Sequence, residues 1–422
     1  MRNVFAARHT PVLRVMISVL LASLPLQAPA SQMPQRFVPA SDDTILLRVS
    51  ARDDAAQQAL RQDRQQLLNE PDNLPLALDV ARRAIEQGRL QDDPRLFGTA
   101  EGALGFWWEM SEPPAQVRIL RATIFQYRHR FAAAISDLNA VIEQEPDNAQ
   151  ARLTRAVIHT VQSRYQQALQ DCARIARQGI QVTALACSAT PASLTGSGEQ
   201  AFEMLGRVPE QGIDTDTRIW ALTLRAEIAE RLGRDDAESH FLAAIDAADA
   251  HPDRYLANAY ADWLLDQDRP REALGLLTEF ADSDGSLLRT ALAHRQLLEQ
   301  GNDSSREPLQ QARAELRARF VAERERGGAV HQREAAIFQL HLEQQPQEAL
   351  WLARDNFRNQ REPLDARIFL QAALAAEVPA QALPVVQWMR DNGVTDVRLE
   401  PLVASIEARV VTTADLSAED SP

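Results

Sequence analysis

Apolar residues recur at three- and four-residue intervals along most of this chain, in segments long enough for three or four helical turns and separated by short polar stretches. The pattern predicts about twenty α-helices and no convincing strand outside Thr44 to Ser50. Helix boundaries are marked chemically. The tetrapeptide Glu70-Pro71-Asp72-Asn73 recurs as Glu145-Pro146-Asp147-Asn148, and each copy lies between two helical patterns, with proline ending one helix and Asp or Asn capping the next.

A repeat runs through the middle of the chain. Arg130 to Leu138 aligns with Arg164 to Cys172 at a shift of 34 residues; the same shift carries Arg121-Ala122 onto Arg155-Ala156, and the reverse shift carries Ala134 onto Ala100. The spacing resembles the tetratricopeptide repeat family, whose two-helix unit has small residues at its eighth and twentieth positions, an aromatic at the seventeenth and proline at the thirty-second. The unit 115–148 supplies Ala122, Phe131, Ala134 and Pro146, and the next supplies Ala156, Tyr165 and Ala168, with Ile180 where proline is expected. Later units follow more loosely through Ala226, Gly233, Ala237, Ala261, Pro270, Ala273, Ala349 and Ala382. Gly88 to Pro94, Gly301 to Pro308 and Gly327-Gly328 read as loops between helices. The resemblance implies an all-α fold, an α-solenoid of tetratricopeptide-like helix-turn-helix repeats over residues 53–410. It is clearest over 95–182, fair to 282 and degenerate after that. Residues 31–52 read as a polar lead-in segment and 411–422 as a disordered tail.

The first thirty residues add a destination. Arg2, Arg8 and Arg14 precede the apolar run Val15 to Leu26, and Ala28-Pro29-Ala30 supplies a small-x-small cleavage pattern, so residues 1–30 are expected to be a cleaved signal peptide with Ser31 as the mature start. The run falls short of the roughly 20 residues that span a bilayer as a helix. A periplasmic or secreted protein follows. The whole chain also resembles exported proteobacterial tetratricopeptide proteins of unassigned activity, which bears only on compartment.

Composition is that of an ordinary globular chain, 45% hydrophobic and 25% charged. The net charge is -14, and all 45 basic residues are Arg. Removing the leader's three arginines and no acids takes the charge to -17. So acidic a surface repels phosphate backbones, which argues against nucleic acid and anionic membrane as partners.

Chemistry of an enzymatic kind is not legible. The histidines after the leader (His129, His159, His240, His251, His294, His331, His341) form no i, i+4 pair, and the two cysteines do not stand at zinc spacing. No phosphate loop or nucleophile elbow is present, and Thr195 to Gly198 reads as a turn. The expectation is no enzyme, no cofactor and no metal. Cys172 and Cys187 lie on consecutive helices at similar distances from the turn near Gln178-Gly179, which allows a disulfide. In the cluster Phe106-Trp107-Trp108, Trp107 reads as core and Trp108 as a contact for a partner.

By the resemblance, the first helix of each unit lines a concave groove. The positions carried over are Gln116, Ile119, Thr123, Gln126 and Tyr127; Gln150, Leu153, Val157, Thr160 and Val161; Trp220, Thr223, Glu227, Glu230 and Arg231; and Tyr255, Asn258, Asp262, Leu265 and Asp266. The groove passes from neutral and apolar to acidic and aromatic. The Lys and Asn that grip a terminal carboxylate in chaperone-binding members are replaced by Ile119, Thr123, Leu153 and Val157, so that clamp is absent. The expected function is a periplasmic protein-binding scaffold that captures a partner peptide or protein with a basic segment in this groove. The alternative is a structural component of an envelope assembly that binds through edges or the convex face.

Overall fold

A computed structural model describes residues 55–91, 93–249, 251–280, 283–325 and 332–419. The signal peptide, the lead-in segment, Gly327-Gly328 and His331 lie outside these described residues.

The described residues form 21 α-helices. In chain order they begin α1 (Ala55–Asn69), α2 (Leu74–Gln91), α3 (Pro94–Ala103), α4 (Gly105–Trp108), α5 (Ala115–Tyr127), α6 (Phe131–Gln144), α7 (Ala149–Val161) and α8 (Tyr165–Arg177). The middle consists of α9 (Gln181–Ser193), α10 (Gly198–Leu205), α11 (Thr215–Arg231), α12 (Ala237–Ala247), α13 (Arg254–Asp266) and α14 (Pro270–Leu277). The last part holds α15 (Asp284–Glu299), α16 (Arg306–Glu325), α17 (Gln332–His341), α18 (Pro346–Asn359), α19 (Pro363–Ala375), α20 (Leu383–Asn392) and α21 (Glu400–Glu419). From α2/α3, and then from α5/α6 to α19/α20, they pack as successive hairpins, and each hairpin's first helix also touches the first helix of the next. That continuous row of first helices makes the array an all-α solenoid of tetratricopeptide-like units. α21 packs on α19 in the place of a further first helix and closes the row. The expected tail is therefore helical as far as Glu419. No described helix is long and apolar enough to cross a membrane.

The repeat residues explain the packing. Ala122, Ala134, Ala156, Ala168, Ala226, Ala237, Ala261, Ala273, Ala349 and Ala382 are all buried, because helices approach closely only where side chains are small. Turns between paired helices share one device. His129, Ser163, Gly196, Gly233, Asp268, Gly301, Gln344 and Glu377 all have positive φ, and each ends a first helix and reverses the chain. In both copies of the Glu-Pro-Asp-Asn turn the last residue is the cap: Asn73 Oδ1 accepts from Leu76 N at 3.2 Å and Asn148 Oδ1 from Ala151 N at 2.9 Å. The period also carries a polar clamp. Arg121 is bidentate to Asp137 at 2.7 Å, and 34 residues on Arg155 is bidentate to Asp171 at 2.7 and 2.8 Å, each tying the two helices of its unit.

One expected loop is partly helix. α2 continues through Gly88 to Gln91, and Asp93 caps α3. Gly88 is needed for approach rather than for a turn, since a Cβ there would lie 2.9 Å from the Phe97 ring.

The row of first helices curls until α13 returns to α2. Arg254, at the start of α13, donates to the Leu90 carbonyl at the end of α2 at 3.2 Å. The C-terminal units then lie along the turns of earlier ones. Gln360 contacts His129 at 3.2 Å, Trp388 Nε1 donates to Ser163 Oγ at 2.9 Å, Gly393 faces Gly196, and Val397 packs over Gly233. Tyr165 and Leu194 are buried in the same apolar cluster as Phe357, Trp388, Met389 and Val394. The solenoid is thus closed on itself by its own last units.

Candidate functional site

Closure divides the inner face into two regions. The first is a chamber of ≈ 1060 Å³ bounded by α2, α5, α7, α11 and α13. Of the expected groove residues, Gln116, Ile119, Thr123, Gln150, Trp220, Thr223 and Tyr255 line it. A smaller space of ≈ 290 Å³ adjoins it at Arg89 and Thr123 and is lined by Gln126, Tyr127 and Val161 together with Arg333 and Gln360 from the C-terminal units. Tyr127 stacks on Phe97 with centroids 3.6 Å apart, which fixes one corner. Leu153 packs on the cluster around Cys172 and Ile175, Val157 is half-buried, and Thr160 is buried with its hydroxyl on the Ala156 carbonyl, so these line neither space.

The second region is the acidic stretch, and it already has its cations. Arg398 pairs with Glu230 at 2.8 Å, Arg367 is bidentate to Asp266 at 2.5 and 2.8 Å, and Arg289 pairs with Asp262. Two of these arginines come from the closing units, and the main chain follows them in, with Val397 N donating to the Arg231 carbonyl at 3.0 Å and Arg361 N to the Val161 carbonyl at 2.8 Å. Asn258 accepts from Ser286 at 2.9 Å, and Glu227 accepts from the Tyr255 hydroxyl at 2.6 Å. Leu265 is buried in the core. Burial pushes the Glu230 carboxyl up to about 7, with Arg398 pulling against it. Burial raises Glu227 as well. The basic segment expected of a partner is therefore supplied in large part by this chain itself.

Other singled-out residues resolve as follows. A disulfide joins Cys172 of α8 to Cys187 of α9, with Cα atoms 5.6 Å apart. Trp107 is buried beside Phe97 and Leu104. Trp108, read as a partner contact, is instead packed edge-on against Phe125 at 5.4 Å, with the Arg121 guanidinium 5.9 Å from its ring, and Phe106 is the exposed member of the three. His159 and His341 are each held down to about 4, chiefly by burial and then by Arg164 and Arg295 respectively. Among the described residues no three His, Cys, Asp or Glu side chains gather as metal ligands.

Sequence reasoning missed the contribution of α2, which brings Arg82, Ile85, Glu86, Arg89 and Leu90 to the chamber. Its only signal was apolar periodicity in a unit without the 34-residue register. Solvent reaches Arg89, and the protein crowded around it still lowers its pKa. Its guanidinium has no hydrogen bond or ion pair among the described residues, whereas neighbouring Arg254 is bonded to the Phe280 and Leu90 carbonyls at 3.2 Å each.

No protein-family model matches the chain, and no curated protein matches it. Solved structures similar to it include a monomeric mutant of IFIT1 with Gppp-AAAA (TM-score 0.41, 11% identity, 87% of this chain and 89% of that one). Yeast Tom70 gives a TM-score of 0.32 at 17% identity over 86% of this chain and 69% of that one. The tetratricopeptide domain of P58(IPK) gives 0.22 at 14% over 80% and 98%. At such scores and identities these likenesses say nothing of what this chain binds.

Proposed function

We propose that this chain is a protein-interaction scaffold of an exported compartment, contacting folded partners through its outer helices and the edges between units. The carrying observation is that the inner acidic face is occupied by the chain's own last units. Large apolar side chains stand exposed on second helices instead: Leu242 on α12, Val321 on α16, Trp351 on α18 and Leu383 on α20. The leader and the disulfide between Cys172 and Cys187 support an oxidising destination such as the periplasm.

A second reading, capture of a short partner segment in the groove, keeps support from the chamber lined by Ile119, Thr123, Trp220 and Tyr255. Crosslinking in the native compartment separates the two, using carboxylate-directed reagents because the chain contains no Lys. The paired variant Leu242→Ser, Trp351→Ser is expected to lose the crosslinked partner while Trp220→Ala keeps it. The opposite pattern returns function to the groove.

A further inference from the structure

The chamber is walled on some sides and open to solvent on others. The α2–α13 contact closes one side, and Gln360 against His129, with Arg361 N on the Val161 carbonyl, closes the end of the adjoining space. A compact ligand has room, since ≈ 1060 Å³ lies just above the roughly 300–1,000 Å³ range of small-molecule sites. Its apolar wall is built from Ile119, Ile219, Trp220 and Phe280. At the junction of the two spaces stands Arg89, without an ion pair among the described residues.

Three arginines and three acids line the chamber, and among the described residues none of those acids forms an ion pair with Arg89. Glu86 lies one turn from both Arg82 and Arg89 on α2 and is bonded to neither, Asp216 sits in the first turn of α11 where the helix dipole favours it, and Asp253 spends one oxygen capping α13 at Leu256 N. A solvent-accessible guanidinium with no ion pair among the described residues can take up an anion, and a carboxylate meets its fork bidentately.

We propose that the chamber binds a compact amphipathic carboxylate, with its apolar, aromatic-sized body against Ile119, Ile219 and Trp220 and its carboxylate on Arg89. This stands apart from the outer-face reading, because it needs no protein partner.

The test is calorimetric titration of the full mature chain with 2-naphthoate and with its neutral isostere 2-naphthamide. The parent is expected to bind the carboxylate about tenfold or more tightly than the amide, the usual advantage of a charge-assisted hydrogen bond. Arg89→Gln should bring the two affinities together and leave the melting temperature unchanged, since the Arg89 guanidinium has no hydrogen bond or ion pair among the described residues. Trp220→Leu should weaken both ligands alike. Equal affinities on the parent, no binding of either ligand at millimolar concentration, or a carboxylate preference that survives Arg89→Gln each overturns the proposal. So does a partner segment that crosslinks inside the chamber while 2-naphthoate fails to displace it.

Discussion

Arg398→Gln tests the closure of the solenoid. Arg398 is bidentate to Asp396 at 2.9 and 2.7 Å and pairs with Glu230 at 2.8 Å, where Asp396 is fully buried and Glu230 nearly so. Removing one member of a buried ion pair costs about 3–5 kcal/mol, because the partner is left desolvated and uncompensated. The two acids respond differently. Asp396 keeps only the bond from Arg398 N at 3.0 Å. Glu230 can escape by taking a proton, because its folded pKa is already about 7 and loss of Arg398 moves it further up. Below that value both parent and variant hold Glu230 neutral, so the cost reflects Asp396 and should be about 3 kcal/mol at pH 6. Above it the parent ionises Glu230 at no further cost while the variant does not, and the difference grows by about 1.4 kcal/mol for each pH unit that separates the two folded pKa values. A value near 5 kcal/mol is expected at pH 8.5. Urea denaturation at pH 6 and pH 8.5 followed by tryptophan fluorescence reads both numbers, and adding Glu230→Gln should erase the pH-dependent part alone. A cost below about 0.5 kcal/mol, or an equal cost at both pH values, would refute the view that the acidic face is satisfied from within.

Removing the disulfide by Cys172→Ser with Cys187→Ser opens a loop of 15 residues and should lower stability by about 3 kcal/mol, with dithiothreitol reproducing the loss in the parent. Ala134→Leu or Ala168→Leu, at fully buried helix contacts, should each cost about 1–3 kcal/mol and lower the melting temperature. His159 and His341 have folded pKa values near 4, below that of the unfolded chain, so the unfolded state takes up protons first and stability should fall as pH drops from about 6.5 towards 4, by about 1 kcal/mol per unit for each histidine. Glu230 works in the opposite direction over part of that window, and His341→Gln should flatten the fall in a pH series of urea midpoints.

What the sequence made legible was local. Ala122, Ala134, Ala156 and Ala168 could be placed because two helices of one unit and their neighbour meet within 34 residues, and the steric demand for a small side chain repeats with the same spacing. The matching arginines and aspartates of the clamp stand in the aligned segments too, but nothing in a charge pair announces burial. The last turn of α2 was read as loop because Gly88 signals a turn by default, and only the Phe97 ring against it explains why a glycine stands inside a helix. The closure was illegible because its contacts join residues such as Ser163 and Trp388, 225 apart in the chain, through single hydrogen bonds that leave no period.

The acidic stretch shows where that kind of reading stops. Glu230, Asp262 and Asp266 on adjacent first helices define a surface complementary to guanidinium groups, and that much follows from helical spacing. Electrostatic complementarity does not say whether the cation arrives from another molecule or from further along the same chain. An intramolecular partner enjoys a high effective concentration and loses no translational freedom on docking, so where the solenoid's curvature brings Arg367 and Arg398 within reach they outcompete any free basic segment of equal chemistry. Curvature is set by the packing of each unit on the next, summed over many units, and no single position carries it. The consequence for binding is direct: those carboxylates are neutralised from within and offer no site to a free basic segment, so what the remaining inner space can hold is set by its own lining, the apolar wall of Ile119, Ile219 and Trp220 beside Arg89.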